Sequence, residues 1–412
     1  MNSARIYPFA ENRCSIECFL WERGFRRAAR AGSRPGLAIA LLSGLLFLAV
    51  TPARAQTLTV LHSFGSAPDG SNSKASLIRD QQGNFYGTTD SGGGGSYGTV
   101  FMMSPSGVEK VLYNFTTGAD GESPWGSLVR DSQGNLYGTT WNGGAYNDGT
   151  VFMTTRSGVE TVLHSFGAGT DGLLPAGGLV RDAQGNLYGT TVGGGVNLHG
   201  TVFQITAAGV ESVLHSFTGA DGNGPYAALV QDSAGNLYGT TNVGGAHGYG
   251  VVFKITLAGT LTVLYNFAGG NDGGVPYGSV VRDAQGNVFG TTYQGGVFGY
   301  GTVFEVNTFG AERVIHSFAR TGIDGGQPIA GLIQDPNGTL YGTTYYGGAY
   351  NYGTIFLVIP ASNIFSTMYS FTAGTDGGGP WGGLVEDSQG FLYGTTQWYG
   401  TNGWGTVFKF VH

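Results

Sequence analysis

The chain has 412 residues, of which 77 are glycine, and it carries 19 Lys and Arg against 26 Asp and Glu. Eight of the basic residues but only three of the acidic ones lie in residues 1–55, so the remaining sequence has 11 basic and 23 acidic residues. A sequence this acidic, with no basic run, is expected to repel nucleic acid and anionic membranes. Both cysteines, Cys14 and Cys18, precede residue 56, which excludes disulfides, thiol catalysis and thiolate metal sites from the rest of the chain.

Residues 1–55 have the pattern of an export signal. An arginine-rich leader is followed by the apolar run 37–50 and by the small residues Ala53 and Ala55. Small residues at positions −3 and −1, after about 7–15 apolar residues, are typical of a secretory signal peptide. A membrane span needs about 20 apolar residues, so this run predicts cleavage rather than anchoring. We expect an extracytoplasmic protein, secreted or periplasmic, with no membrane span once residues 1–55 are removed.

The rest of the chain is a tandem repeat. The tetrapeptide Tyr-Gly-Thr-Thr, with Phe replacing Tyr once, places its glycine at seven positions spaced by 50 to 52 residues, namely Gly87, Gly138, Gly189, Gly239, Gly290, Gly342 and Gly394. Seven such units fill residues 56–412 and leave no room for another domain. A fixed period of this length indicates a propeller or a solenoid.

Each repeat contains four predicted strands divided by glycine-rich turns. In the unit that begins at Pro124, strands are predicted at residues 124–131, 136–140, 150–154 and 160–166, where Val, Thr, Tyr and Phe predominate. No segment shows the period of a sustained helix. Four-stranded repeats are the blades of β-propellers. The sequence therefore predicts an all-β fold, a seven-bladed β-propeller with four antiparallel strands per blade.

The two ends of the repeat region favour a closed ring over a solenoid. Residues 57–64 resemble a fourth strand without the first three, and residues 405–412 resemble a third strand without the fourth. Together they complete one blade, whereas a solenoid would leave an unpaired edge strand at each end. We therefore expect the N-terminal strand to close the last blade. We also expect a monomer.

The repeated motif also resembles a known family. Its pattern G-N-L-Y-G-T-T, followed by G-G, G-T-V-F, V-L-x-S-F and D-G, is similar to the GloVer tandem repeat of exported bacterial choice-of-anchor proteins. The resemblance extends over residues 57–412 and implies an extracytoplasmic, propeller-like repeat protein without a particular activity. Such proteins often carry a C-terminal anchoring segment. The sequence ends at His412 without one, so release or retention in the periplasm is expected.

The connections of such a blade divide into two groups. In an antiparallel meander, the loops after the second and fourth strands lie on one face of the ring, here called the loop face, and the turns after the first and third strands lie on the other. The turns repeat almost unchanged, as at residues 131–135 and 182–186, whereas the loops after the second strands differ. Function is therefore expected on the loop face.

The loop face is rich in aromatic residues. Four of them follow a proline where the chain enters the innermost strand, namely Trp125, Tyr226, Tyr277 and Trp381. The loops after the second strands contribute Trp141, Tyr146, His247, Tyr249, Tyr300, Tyr345, Tyr346, Trp398 and Trp404, within a wider set that includes His199, Tyr293, Phe298, Tyr350, Tyr352 and Tyr399. Rings with hydroxyl groups and few charges suit the apolar faces of sugars or apolar side chains. The four residues that follow a proline and the nine loop residues from Trp141 to Trp404 named first are the predicted binding site for a glycan or a protein. The alternative is that the rings only cover glycine-rich backbone.

Two other repeated positions are interpreted as structural. An Asp-Gly pair occurs in every blade, at Asp69, Asp120, Asp171, Asp221, Asp272, Asp324 and Asp376. A ring of carboxylates could bind Ca²⁺, but each aspartate is alone in its loop, which favours ordinary turn chemistry. A fourth-strand position alternates between histidine and tyrosine (His62, His164, His215, His316; Tyr113, Tyr265, Tyr369), which predicts packing with a polar tip. No metal and no cofactor are predicted.

Catalysis is the competing function. Asp90, Glu122, Asp148, His199 and His247 are acids and bases on the loop face, and only Glu122 and Asp148 belong to one repeat. Glycoside hydrolysis needs two carboxylates about 5–10 Å apart. The motifs of serine hydrolases, zinc proteases and phosphate loops are absent from the sequence. We predict a non-catalytic recognition module, with a polysaccharide hydrolase or lyase and a structural envelope protein as the alternatives.

Overall fold

The computed structural model describes residues 56–412 except residues 66, 117 and 168, so the predicted export signal lies outside the described residues. The described chain forms seven antiparallel sheets of four strands, the blades of a β-propeller. This confirms the predicted all-β, seven-bladed architecture. Two pairs of two-residue strands lie in the loops, Gly70–Ser71 with Ser91–Gly92 and Gly325–Gly326 with Tyr346–Gly347. This part of the chain contains no helix that is long and apolar enough to cross a membrane.

Strands are numbered within each blade from the channel outward. The first strands are Ile78–Arg79, Val129–Arg130, Val180–Arg181, Val230–Gln231, Val281–Arg282, Ile333–Gln334 and Val385–Glu386. The second strands are Phe85–Thr89, Leu136–Thr140, Leu187–Thr191, Leu237–Thr241, Val288–Thr292, Leu340–Thr344 and Leu392–Thr396. The third strands are Thr99–Met103, Thr150–Thr154, Thr201–Ile205, Val251–Ile255, Thr302–Val306, Thr354–Ile359 and Thr406–Val411. The fourth strands are Glu109–Asn114, Glu160–Ser165, Glu211–Ser216, Leu261–Asn266, Glu312–Ser317, Ile364–Ser370 and, for the seventh blade, Thr57–Ser63.

One aspartate organises the turn between the first and second strands. Asp131 accepts hydrogen bonds from the backbone N–H of Asn135 at 2.8 Å, from its side-chain amide at 2.9 Å and from the hydroxyl of Tyr137 at 3.0 Å. Burial acts to raise the pKa of Asp131, but these bonds hold it below its ordinary value. Gly134 has a φ of 90°, in the left-handed region that favours glycine. The hydrogen bonds to the aspartate and the positive φ at the glycine explain why Asp, Gly and Asn recur at this turn.

The first strand is shorter than the sequence predicted. The prediction of residues 124–131 was wrong in length, because only Val129–Arg130 pairs with the second strand. The segment before this pair packs against the next blade instead: a Cβ on Gly126 would lie 2.6 Å from the carbonyl oxygen of Gly177. Residues 125–127 consequently line the central channel.

The hydrophobic core lies between neighbouring blades. Gly138 pairs with Phe152 of the third strand, and a Cβ on this glycine would lie 2.7 Å from Cζ of that ring. Phe115 of the preceding blade packs edge-on against Phe152, with ring centroids 5.1 Å apart. Leu128 and Leu136 complete a buried cluster with them. Six further clusters of the same kind are present in the described chain.

Threonines of the second strands join the blades near the channel. Thr139 Oγ1 donates to the carbonyl oxygen of Gly177 at 3.0 Å. Equivalent bonds from second-strand threonines occur at Thr88, Thr190, Thr240, Thr291 and Thr395. Within the described residues, the equivalent hydroxyl of Thr343 has no hydrogen-bond partner. The seam between the sixth and seventh blades therefore lacks this bond.

The N-terminal strand belongs to the last blade. Thr57–Ser63 pairs antiparallel with Thr406–Val411 as its fourth strand. Thr395 Oγ1 of the seventh blade donates to the carbonyl oxygen of Ala75 in the first blade at 3.2 Å. Phe64, which follows the N-terminal strand, is fully buried in the core between these two blades.

Candidate functional site

The mouth of the channel on the loop face is a ring of seven residues, one from each blade. Each occupies the same place in its repeat, directly after a proline in six blades and after Ser73 in the first. The ring consists of Lys74, Trp125, Ala176, Tyr226, Tyr277, Ile329 and Trp381. It brings together four of the predicted aromatic residues, although they come from four different repeats.

A cavity of about 510 Å³ lies at this mouth. Tyr293, Tyr345 and Tyr346, from the loops after the second strands, complete its wall. Seven of its nine lining residues are aromatic, the other two are Ala176 and Ile329, and none is charged. Concave sites lined by apolar groups, with a few placed polar atoms, are the usual form of a small-ligand site.

Trp125 is held between two neighbours. Its ring stacks on Trp141, with centroids 4.3 Å apart and planes at 15°, and the ammonium of Lys74 lies 3.7 Å from its centroid. These groups cannot share one face at such distances, so both faces of Trp125 are covered. Its indole N–H donates to Asp90, whose Oδ2 is 3.3 Å from Lys74 Nζ. Burial lowers the pKa of Lys74, an effect that Asp90 opposes.

Tyrosines form another part of the wall. Tyr226 packs edge-on against Tyr277 with centroids 5.3 Å apart, and Tyr277 packs against Tyr293 at 5.6 Å. Burial raises the pKa of the Tyr226 and Tyr293 hydroxyls above the ordinary value of a phenol. These hydroxyls therefore stay protonated at neutral pH and can donate hydrogen bonds to a ligand.

A second cavity, of about 230 Å³, shares Tyr345 and Tyr346 with the mouth. Trp398 Nε1–H donates to the Tyr345 hydroxyl at 2.8 Å, and that hydroxyl donates to Gln397 Oε1 at 3.0 Å. The rest of its lining is Asn351, Tyr352, Gly379 and Tyr399. The predicted residue Trp398 is thereby connected to the mouth.

Six predicted residues lie outside the lining of both cavities, namely Trp141, Tyr146, His247, Tyr249, Tyr300 and Trp404. Trp141 is half-buried and stacks on Trp125, and the other five are exposed. Tyr249 shows what an aromatic residue does at such a position: its ring covers Gly269, where a Cβ would lie 2.6 Å from the ring atoms. This packing agrees with the backbone-covering role that the sequence left open.

Sequence reasoning missed three residues of the mouth, Lys74, Ala176 and Ile329, and noted Tyr293 without selecting it. The prediction selected residues by aromatic type. Position in the repeat was the better signal, because the residue at this position reaches the mouth in every blade whatever its side chain, after a proline in six blades and after Ser73 in the first. Tyr293 could be found only once the folded loop placed it beside Tyr277.

The repeated aspartates bond to the repeated histidines and tyrosines, two groups that the sequence treated separately. The Tyr113 hydroxyl donates to Asp120 at 2.9 Å, and His164 Nε2 is 3.0 Å from Asp171. The equivalent contact is present in all seven blades. Each aspartate also accepts a loop N–H, as Asp120 does from Thr116 at 2.8 Å. These contacts could have been predicted from the sequence, because six to eight residues separate the histidine or tyrosine from the aspartate in every blade.

The candidate catalytic residues do not converge at the mouth. Glu122, Asp148, His199 and His247 are not among the lining residues of either cavity. Asp90 is close to the mouth, but it is engaged by an ammonium and an indole N–H.

Among the described residues, one group of side chains that could hold a metal ion occurs at the seam between the seventh and first blades. Ligand atoms of His62, Asp69 and Glu109 lie within 4.8 Å of one another. Burial, with a smaller contribution from Asp69, raises the pKa of Glu109 to about 7. The His62–Asp69 contact has the same form as Tyr113–Asp120, so this geometry also arises where a tyrosine replaces the histidine.

Comparison with known proteins identifies the repeat. A model of the Gloeobacter/Verrucomicrobia repeat matches residues 42–197 and 309–412. The chain belongs to this repeat family. The resemblance carried by the repeated motif is thereby confirmed. A comparison with curated proteins gives no match.

Solved structures share the fold of the Gloeobacter/Verrucomicrobia repeat protein. The extracellular domain of a protein described as a hybrid two-component system, from B. thetaiotaomicron, matches with a TM-score of 0.55 and 10% identity over 86% of this chain and 40% of that one. A second such domain from this organism matches with a TM-score of 0.54 and 16% identity over 86% of this chain and 41% of that one. This chain thus spans about two fifths of the solved chains. At such identities the likeness shows the fold alone.

Proposed function

We propose that this protein is a non-catalytic recognition module that binds an uncharged glycan at the aromatic mouth of its channel. The observation that carries the proposal is the cavity of about 510 Å³ with seven aromatic and no charged lining residues. The apolar face of a sugar ring packs well on aromatic rings, and its hydroxyls need nearby hydrogen-bond partners. The hydroxyls of Tyr226 and Tyr293 supply such partners beside the rings.

An extracytoplasmic location fits this proposal. The predicted signal peptide would export the chain, and the two similar solved domains are described as extracellular. Glycans of cell envelopes and of the surroundings are encountered there. We do not propose glycoside hydrolysis, because Glu122 and Asp148 lie outside the lining of both cavities.

Retention on an array of immobilised neutral glycans tests the proposal. Tyr277→Ala and Trp381→Ala each remove a ring from the mouth, so we expect at least a tenfold loss of retention for both variants. Tyr249→Ala is the matched control, since it removes an exposed ring outside both cavities.

Two results would contradict the proposal: a wild-type protein that binds no glycan on the array, or mouth variants that bind like the wild type. A parallel array of unglycosylated peptides distinguishes the alternative ligand. Binding to peptides alone, abolished by Trp381→Ala, would replace the glycan with a protein segment.

A further inference from the structure

We propose that the ligand is a neutral polysaccharide chain bound by its end, with the terminal unit in the mouth and the following units on a track between the sixth and seventh blades. This inference rests on the proposed function and adds the direction and the class of the ligand. The track is defined as the second cavity, lined by Tyr345, Tyr346, Asn351, Tyr352, Gly379, Trp398 and Tyr399.

The track continues directly from the mouth. The two cavities share Tyr345 and Tyr346, so a chain can pass from one to the other over the same rings. The track adds about 230 Å³ to the volume of about 510 Å³ at the mouth. A ligand with several linked units uses both.

The rings of the track are held in place while part of their surface stays open. Trp398 is fixed by its hydrogen bond to the Tyr345 hydroxyl at 2.8 Å, yet its surface is 38% exposed. Tyr352 and Tyr399 pack edge-to-face with centroids 5.1 Å apart and are also partly open to solvent. Rings that are positioned before binding lose little conformational entropy when a ligand stacks on them.

Two other directions out of the mouth offer little room for a ligand. On the side of the first and second blades, both faces of Trp125 are covered by Lys74 and Trp141. The channel below the mouth has a volume of only about 90 Å³, less than a fifth of the volume at the mouth. The proposed chain therefore ends in the mouth and does not pass on into the channel.

The chemistry of the track favours a neutral sugar chain over a peptide. No lining residue of either cavity is charged. Arg320 lies beside the track, but its guanidinium stacks over Tyr346 and donates to Asn351 and Gln327. An extended peptide would bring a row of backbone N–H and C=O groups that need partners. The track offers ring surfaces and single side-chain polar groups instead, which match the alternating apolar faces and hydroxyls of linked sugars.

Calorimetric titration with neutral oligosaccharides of two and of six units tests the inference, using the cello-, xylo-, manno- and malto-series. For at least one series we expect the hexamer to bind about tenfold more tightly than the dimer. Trp398→Ala should abolish this gain, so that the dimer and the hexamer bind equally tightly, whereas Trp381→Ala should weaken the binding of both and leave the gain in place. Trp404→Ala is the control, because it removes an exposed tryptophan outside both cavities.

The possible failures are distinct. If dimers and hexamers bind equally, or if Trp398→Ala weakens both equally, the track is overturned while recognition at the mouth stands. If no series binds at either length, the proposed function and this inference both fail.

Binding by the chain end is tested by competition with a polysaccharide and its partial hydrolysate. The hydrolysate should compete better per gram because it has more ends, and equal competition would overturn end recognition.

Discussion

At Gly138 the second and third strands of a blade approach so closely that no side chain fits between the backbone and the ring of Phe152. The same contact joins Gly189 to Phe203, where a Cβ would lie 2.5 Å from the ring. The glycine of the repeated tetrapeptide is therefore required by a ring on the adjacent strand. It allows the phenylalanine to lie flat in the core between blades.

Gly138→Ala tests this contact. We expect it to lower the free energy of unfolding by about 1–3 kcal/mol, the usual cost of inserting a methyl group into a packed core. Thermal unfolding followed by circular dichroism measures the change. Gly270→Ala is the matched control, because its Cβ would meet no atom closer than 3.9 Å and its φ is not in the left-handed region. Equal melting temperatures for the two variants would show that the ring of Phe152 moves aside to make room for the added methyl group.

At the residue scale, sequence predicted the aromatic character of the mouth but not its full composition. Trp125, Tyr226, Tyr277 and Trp381 could be found because they share a position after proline and a residue type. Lys74 was missed because it is not aromatic and follows Ser73 instead of a proline, and its contact with Trp125 joins two repeats. Contacts between repeats are invisible to a pattern read within one repeat.

The fourth strands differ from blade to blade where they begin. Four of them start with a glutamate, namely Glu109, Glu160, Glu211 and Glu312, and burial raises the pKa of each to about 7. A nearby aspartate adds to the shift, as Asp120 does for Glu160. Their Oε1 atoms are buried without a hydrogen-bond partner in the described chain. The protonated form of these side chains is favoured at the seams.

These glutamates should make the protein less stable as the pH rises. Their pKa is about 7 in the folded protein and about 4.5 in the unfolded chain, so the folded state holds the proton longer. Stability should be constant below about pH 4.5, fall between pH 4.5 and 7, and then level off. We expect roughly 1 kcal/mol or less per glutamate, since each is only half-buried.

Melting temperatures at pH 5 and pH 8 measure this effect. The combined variant Glu109→Gln, Glu160→Gln, Glu211→Gln and Glu312→Gln replaces each acid with a neutral side chain of similar shape. Its melting temperature should change less between the two pH values than that of the wild type. If the two proteins lose stability in parallel, other groups cause the dependence.

At the element scale, the strands away from the channel were predicted well because each carries its own pattern. Residues 136–140 and 150–154 were predicted with the bounds that the structure has. Residues 124–128 contain strand-forming residues but do not pair with the second strand of their own blade, because the adjacent blade approaches Gly126 at close range. The strand propensity of a residue does not include its contacts with another blade, so it could not predict this one.

For the whole molecule, the two ends of the described chain share one blade. Residues 57–63 form the fourth strand beside Thr406–Val411, and Phe64 is buried against the first blade. Removing residues 56–63 would leave an unpaired edge in the seventh blade. The blade would also lose the strand that covers its outer side.

We predict that a chain of residues 64–412 melts at a temperature several degrees lower than a chain of residues 56–412 and self-associates through the exposed strand. Differential scanning calorimetry and size-exclusion chromatography measure the two effects. A synthetic peptide of residues 56–65 should restore the melting temperature when added, which separates loss of the strand from general damage. A truncated chain that melts like the complete one would show that the N-terminal strand contributes little.

The ring at the mouth lies just ahead of the hydrogen-bonded first strands, outside the ladder that holds each blade together. An exchange of side chain at one of its seven places therefore leaves the framework intact. Lysine, alanine, isoleucine, tyrosine and tryptophan already occupy equivalent backbone positions in this one chain. Selection can accordingly alter the lining of the proposed binding site one blade at a time, without passing through a sequence that fails to fold.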